Sequence, residues 1–244
     1  IPKDEIYLAS TGVIGEPLND SKIIKKIPFL IQNLGNNVKL WEKAANAIRT
    51  TDTFSKFHSE TFSNEKFLFI NGIAKGSGMV HPNMATMLSF IFTNYDFKSS
   101  NLINDFRRIV DITFNSISID SDTSTSDMVL LFSIKGEKSF KNKNQLKLTF
   151  LEKLEKVMLE LAQLIVKDGE GASKFIEVEV KSAKNNNDAK SVAKSIINSP
   201  LIKTAMAGSD SNWGRIVMAI GKSYAKIVPE KISIKFGNYL ILSK

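Results

Sequence analysis

"KFLFINGIAKGSGMVHPNMATMLSFIF", residues 66–92, holds two short apolar runs on either side of a loop containing Gly76, Gly78 and Pro82. Apolar runs of this length, bounded by turn residues, read as buried strands and are too short for helices. The stretch therefore predicts a strand, a glycine-rich turn and a second strand, with Thr86 at the junction where the chain turns apolar again.

Outward from this core, "EIYLAST" reads as a short strand ending at the turn "TGVIGEPL". "SKIIKKI" and "PFLIQNLG" read as a helix broken and restarted at Pro28, because proline suits a first helical turn. "KLWEKAANAIRT" and "NLINDFRRIVDITFNSI" are helical, and "MVLLFSI" is a strand. The longest helix is predicted over 146–166, where Leu151, Leu154, Met158, Leu161 and Ile165 share one face. "KFIEVEVKS" alternates as a strand does. "AKSVAKSIINS", "PLIKTAMAG" and "WGRIVMAIG" are short helices, and "KISIKFGNYLILS" is a hairpin about Gly-Asn. Strands and helices mix without strict βαβ alternation, which predicts an α/β class of layered sheets covered by helices rather than a doubly wound fold. No internal repeat or linker stands out.

The bulk numbers exclude several classes. A chain of 244 residues buries a sizeable core, and 43% hydrophobic with 24% charged residues is ordinary for a globular protein. With no cysteine there is no disulfide scaffold and no thiolate metal site. No apolar run approaches the roughly 18 residues of a membrane span. The net charge of +8 comes from scattered lysines, with Arg107 and Arg108 the adjacent arginine pair, and is read as solvated faces without nucleic-acid binding. "KGEKSFKNKNQLK" reads as an exposed hairpin or loop. The opening "IPKDEIYLAS" carries neither an initiator Met nor a secretory signal, so a fragment or processed piece is expected.

The residues also limit the chemistry. His58 and His81 are the two histidines, so a multi-histidine metal centre is not expected. His58 sits in polar "KFHSET" and reads as a surface residue; His81, beside Pro82, suits a base or a loop-structuring role. "GSGMVHPN" and "GEPLNDSK" lack the spacings of the phosphate-binding loops. "DSDTSTSD", residues 120–127, lacks the glycine and distal glutamate of a calcium loop and reads as a polar turn. A threonine nucleophile needs no histidine. If the peptide bond before it is cut, its new α-amine, with a pKa near ~8, can take the hydroxyl proton. Ala85 before Thr86, after a constrained loop, meets the need for a small preceding residue and a fixed turn.

"ASTGVIGEPL", "AIRTTDT", "NGIAKGSGMVHPNMATML", "FNSISIDSDTSTSD", "KDGEGASKFIEV", "AKSIINSPLIKTA" and "NWGRIVMAIG" follow one another in this order. Together they closely resemble the ornithine acetyltransferase family, the ArgJ enzymes, from about Tyr7 to about Gly221. The resemblance implies a cytoplasmic glutamate N-acetyltransferase of arginine biosynthesis. It would move acetyl from N-acetylornithine to glutamate, with acetyl-CoA as an alternative donor and no metal or redox cofactor. It implies self-cleavage between Ala85 and Thr86, Thr86 as nucleophile and substrate contact, and Thr11 and Gly12 as the oxyanion-hole pair. Thr50, Lys75 and Glu170 match substrate-contact positions. Residues 1–85 would end an α piece and 86–244 form a β piece, the pieces staying together as a heterotetramer without nucleic acid or membrane. The family extends beyond both ends of this match, so 1–244 is expected to be partial, with N- and C-terminal parts missing. A C-terminal Asn and Ser/Thr that line the family's site have no counterpart in "KISIKFGNYLILSK". Two other readings compete: a self-processing threonine aminopeptidase or amidase, with water as acceptor, and a basic binding module on a degenerate enzyme fold.

Overall fold

The computed structural model describes residues 2–35, 37–62, 67–81, 87–96, 102–124, 126–134 and 143–243. The chain divides into two compact units, Ile1–Glu170 and Gly171–Lys244.

The first unit is built on a four-stranded sheet in the order β1 (Lys56–Phe62), β2 (Leu68–Lys75), β3 (Leu88–Thr93) and β4 (Met128–Ser133). β1–β2 and β2–β3 are antiparallel. β3 and β4 are parallel, in a register from Leu88↔Met128 to Thr93↔Ser133, and helix α3 (Ile103–Ile112) lies between them in the chain. A parallel pair needs such a crossover, because a tight turn only reverses direction. The predicted strands of the opening stretch are thus β2 and β3. β1 escapes the sequence reading because its inward positions include His58 and Glu60, half-buried where apolar residues are expected.

One face of the sheet carries α4 (Lys143–Lys167), the long helix expected from periodicity. Phe150, Leu154, Val157, Met158, Leu161, Ala162 and Ile165 are fully buried on it, while Leu151 is only partly buried. The close approach requires glycine on β2. A β-carbon at Gly72 would lie 2.7 Å from Leu161 Cδ1 and 3.0 Å from Val157 Cγ1. α2 (Val38–Ala47) meets β1 and β2, and its Trp41 packs on Phe92 with ring centres 5.3 Å apart. Phe92 in turn stacks on Phe132 at 4.9 Å.

Two expectations differ at the N-terminus. Residues 5–11 form no strand; Ile6, Tyr7 and Leu8 are exposed, and an extended segment without a ladder partner is not a strand. α1 (Asp20–Gln32) runs unbroken through Pro28, which forfeits one backbone hydrogen bond without ending the helix.

In the second unit, α5 (Asn186–Ile197), α6 (Pro200–Ala207) and α7 (Trp213–Gly221) form the helices expected from the sequence. Val192, Ile196, Ile202, Ala219 and Ile220 make its core, with Val178 and Val180 packed against them. The segment 174–182, expected as a strand, alternates in exposure over 175–180 but joins no sheet among the described residues. The hairpin of β5 (Ile234–Phe236) and β6 (Tyr239–Leu242) turns at Gly237, whose φ of +56° favours glycine. No helix among the described residues is long and apolar enough to cross a membrane.

Candidate active site

Three of the predicted residues, Thr50, Lys75 and Glu170, lie at or beside the glycine-rich turn after β2. Lys75, the last residue of β2, is 1% exposed, and its Nζ donates to Thr50 Oγ1 at 2.9 Å. Burial pushes the Lys75 pKa down. Asp52 opposes that push, Lys56 adds to it, and Asp127 opposes it. Glu170 reaches the same turn from the end of α4. Its N–H donates to the Ser77 carbonyl at 2.7 Å, and its exposed carboxylate lies over Gly78. A β-carbon at Gly78 would fall 2.8 Å from Glu170 Oε1 and 2.9 Å from Oε2, so a side chain there would push the carboxylate aside. Thr51 Oγ1 and Ser77 Oγ share a 2.7 Å hydrogen bond, which ties the Thr50 loop to the same turn.

Three residues that sequence reasoning missed hold this assembly. Lys56 is fully buried and bridges Asp52 at 2.7 Å and Asp168 at 2.5 Å. Asp52 also accepts from the N–H of Gly76 at 2.7 Å and of Thr50 at 3.1 Å. Asp168 accepts from the Thr53 hydroxyl and from its N–H at 3.0 Å. Burial alone would raise both carboxyl pKa values. For Asp52, Gly76, Lys56 and Thr50 hold the value below the usual range, and for Asp168 the donors Lys56 and Thr53 do so. Arg49 completes the loop by donating to the carbonyls of Asp52, at 2.8 Å, and of Thr53, at 2.9 Å. The available signal was position: Asp52 lies inside "TTDT" and Asp168 inside "KDGEGA", beside residues already singled out.

Asp120 and Asp127 hold the ends of the same loop. Asp120 accepts from the N–H groups of Met79 and Val80, the latter at 3.0 Å. Asp127 accepts from the Met87 N–H at 2.9 Å. Burial pushes the Asp127 carboxyl up to about 6, against the opposing effects of that N–H and of Lys75. The His81 ring lies 3.3 Å from Ser118 Oγ, which fits the loop-structuring role. His58, expected at the surface, is a half-buried residue of β1, 3.4 Å from Glu60.

Thr86 and Ala85 lie outside the described residues. Thr11 is half-buried and Gly12 exposed, and no hydrogen bond among the described residues ties either to the turn. Among the described residues no group of three or more histidines and carboxylates is placed to hold a metal ion.

Fold and cluster together define a layered α/β protein with a polar site built on the turn that follows its second strand. The chain belongs to the ArgJ family, whose model matches residues 1–244. The arginine biosynthesis bifunctional protein ArgJ of Ruegeria pomeroyi is 47% identical over 245 residues, covering 100% of this chain and 59% of its own length. That of Bartonella henselae is 45% identical over 246 residues, covering 98% of this chain and 59% of its own. The crystal structure of the arginine biosynthesis bifunctional protein argJ from Bacillus halodurans matches with a TM-score of 0.59 at 39% identity, over 65% of this chain and 75% of that one. The chain thus spans 59% of the length of these curated relatives.

Proposed function

We propose that this chain carries acetyl-transfer machinery that moves acetyl from N-acetylornithine to glutamate, in a cytoplasmic enzyme of arginine biosynthesis. The observation that carries the reading is the meeting of Thr50, Lys75 and Glu170 on the turn that leads towards residue 86. An ammonium has three donors; Thr50 takes one of those on Lys75, and a substrate carboxylate suits the others. The exposed Glu170 carboxylate suits the side-chain ammonium of ornithine.

In this mechanism the Ala85–Thr86 bond is cut first, by attack of the Thr86 hydroxyl on the preceding carbonyl and hydrolysis of the resulting ester. The Thr86 hydroxyl then attacks the acetyl carbonyl of N-acetylornithine. The new α-amine takes the hydroxyl proton and delivers it to the departing ornithine nitrogen. Thr11 Oγ and the Gly12 N–H would steady the tetrahedral oxyanion. Acetyl rests on Thr86 as an ester until the glutamate amine attacks it and the hydroxyl regains its proton. Acetyl-CoA is an alternative donor for the first acylation, and no metal or redox cofactor takes part. The two pieces stay associated as a heterotetramer.

The test is the intact mass and N-terminal sequence of the full-length protein. A piece beginning at Thr86 is expected, with Thr86→Ala remaining uncut and inactive. An active enzyme with no new terminus at Thr86 would refute the mechanism.

A further inference from the structure

The stretch "DSDTSTSD" is absorbed neither by metal binding nor by substrate recognition, yet its two ends grip one loop. Ile119 N–H donates to the Val80 carbonyl at 2.7 Å, and Asp120 takes the N–H groups of Met79 and Val80. Seven residues on, Asp127 takes the Met87 N–H, and Met128 N–H donates to the Met87 carbonyl at 3.1 Å. One short segment therefore holds the chain on both sides of residues 81–86. The first grip lies on a backbone that needs holding: Met79 has φ +54°, in the left-handed region that non-glycine residues seldom adopt.

We infer that Asp120 and Asp127 are positioning residues for the chemistry at residue 86, acting as a two-point clamp on the glycine-rich loop. This rests on the self-cleavage reading above. The physical reason is the geometry that an acyl shift demands. A hydroxyl must meet the carbonyl of the residue just before it, and a displacement of about 1 Å can cost roughly a hundredfold in rate. Two carboxylates receiving backbone N–H groups make charge-assisted hydrogen bonds, stronger than neutral ones. Fixing both ends of a loop also removes much of its conformational freedom. Met87 is covalently joined to Thr86, so the Asp127 bond acts one peptide link from the proposed nucleophile. Asp127 is half-buried, and the Met87 it holds adjoins Leu88, which pairs with Lys75 across β2 and β3.

The experiment follows cleavage of freshly made full-length protein by intact mass, in the wild type and in Asp120→Ala, Asp127→Ala, Asp120→Asn and Asp127→Asn. Asp122→Ala, in an exposed residue of the same segment, serves as control. Each Ala variant is expected to release the Thr86-started piece about tenfold or more slowly. The Asn variants should recover to within about threefold of the wild type, because an amide oxygen accepts the same N–H. Asp122→Ala should cleave normally. Ala variants cleaving at the wild-type rate would overturn the clamp, as would Asn variants as slow as Ala. So would loss of cooperative melting in both Ala variants, since the aspartates would then serve folding alone. A wild type that never cleaves refutes the self-cleavage reading itself; a cleaving wild type with unimpaired Ala variants refutes only the clamp.

Discussion

Lys75 and Glu170 present opposite charges on one turn, and the two substrates of the proposed reaction differ in charge. Both carry a carboxylate, but only the ornithine side chain brings an ammonium. Lys75→Ala should therefore weaken both half-reactions, and Glu170→Ala mainly the acetylation of Thr86 by N-acetylornithine. A lost hydrogen bond to a charged group costs about 1.5–3 kcal/mol, or roughly ten- to a hundredfold in kcat/KM. Half-reaction kinetics on already cleaved enzyme decide the matter; equal damage to both by Glu170→Ala would refute its assignment. Lys56 is a different case, because it touches no proposed substrate. Replacing it by Met leaves Asp52 and Asp168 buried and unpaired, and breaking such a pair costs about 3–5 kcal/mol. Urea unfolding should show that loss, with Asp52→Asn and Asp168→Asn added to Lys56→Met restoring part of it. At this scale the sequence was legible where motifs carried it: Lys75 bonds Thr50, and Glu170 lies at Ser77 and Gly78 of the adjoining turn. Lys56 was not legible, because a fully buried lysine and a solvated one are the same letter until a partner 112 positions away is known.

Between elements, Glu60 fastens β1 to α4. Its carboxylate meets Lys153 at 2.8 Å, Lys156 at 2.5 Å and His58 at 3.4 Å. Burial opposes ionisation, yet Lys153, Lys156 and His58 hold the carboxyl down at about 2. A carboxyl whose pKa is lower in the folded chain stabilises it fully above the unfolded value of 4.5 and loses that contribution as pH falls through about 2. Glu60→Gln should thus lower the Tm at neutral pH, on the order of 1 kcal/mol in stability. The gap to the wild type should close as thermal melts are taken from pH 4.5 down towards pH 2. A gap unchanged over that range would show that the clasp works by shape and not by charge. The same pair of elements shows what periodicity can and cannot reveal. α4 was legible because its inward residues are apolar at helical spacing. β1 was not, because its inward glutamate is satisfied by lysines that the helix supplies. Residues 5–11 read as a short strand, and 174–182 as one because they alternate, but a ladder also needs a neighbour, and the sequence of one segment carries no record of that.

At the scale of the whole chain, the boundary between compact units falls at Glu170/Gly171, where Gly171 takes φ +69°. No compositional break marks it; the junction lies within a motif and immediately follows a residue of the proposed site. The proposed scission point lies elsewhere, within the first unit, and β2 and β3 pair across it from Ile70↔Thr93 to Lys75↔Leu88. A cut there makes one sheet the joint property of two polypeptides. Unfolding then changes molecularity. What is a unimolecular event in the precursor would become a dissociation in a cleaved protein, its midpoint rising with concentration by mass action. If the proposed cut is made, covalent continuity would speed the finding of the fold without being required to keep it: the precursor aligns β2 with β3 while they are tethered, whereas separated pieces would have to find that register by diffusion.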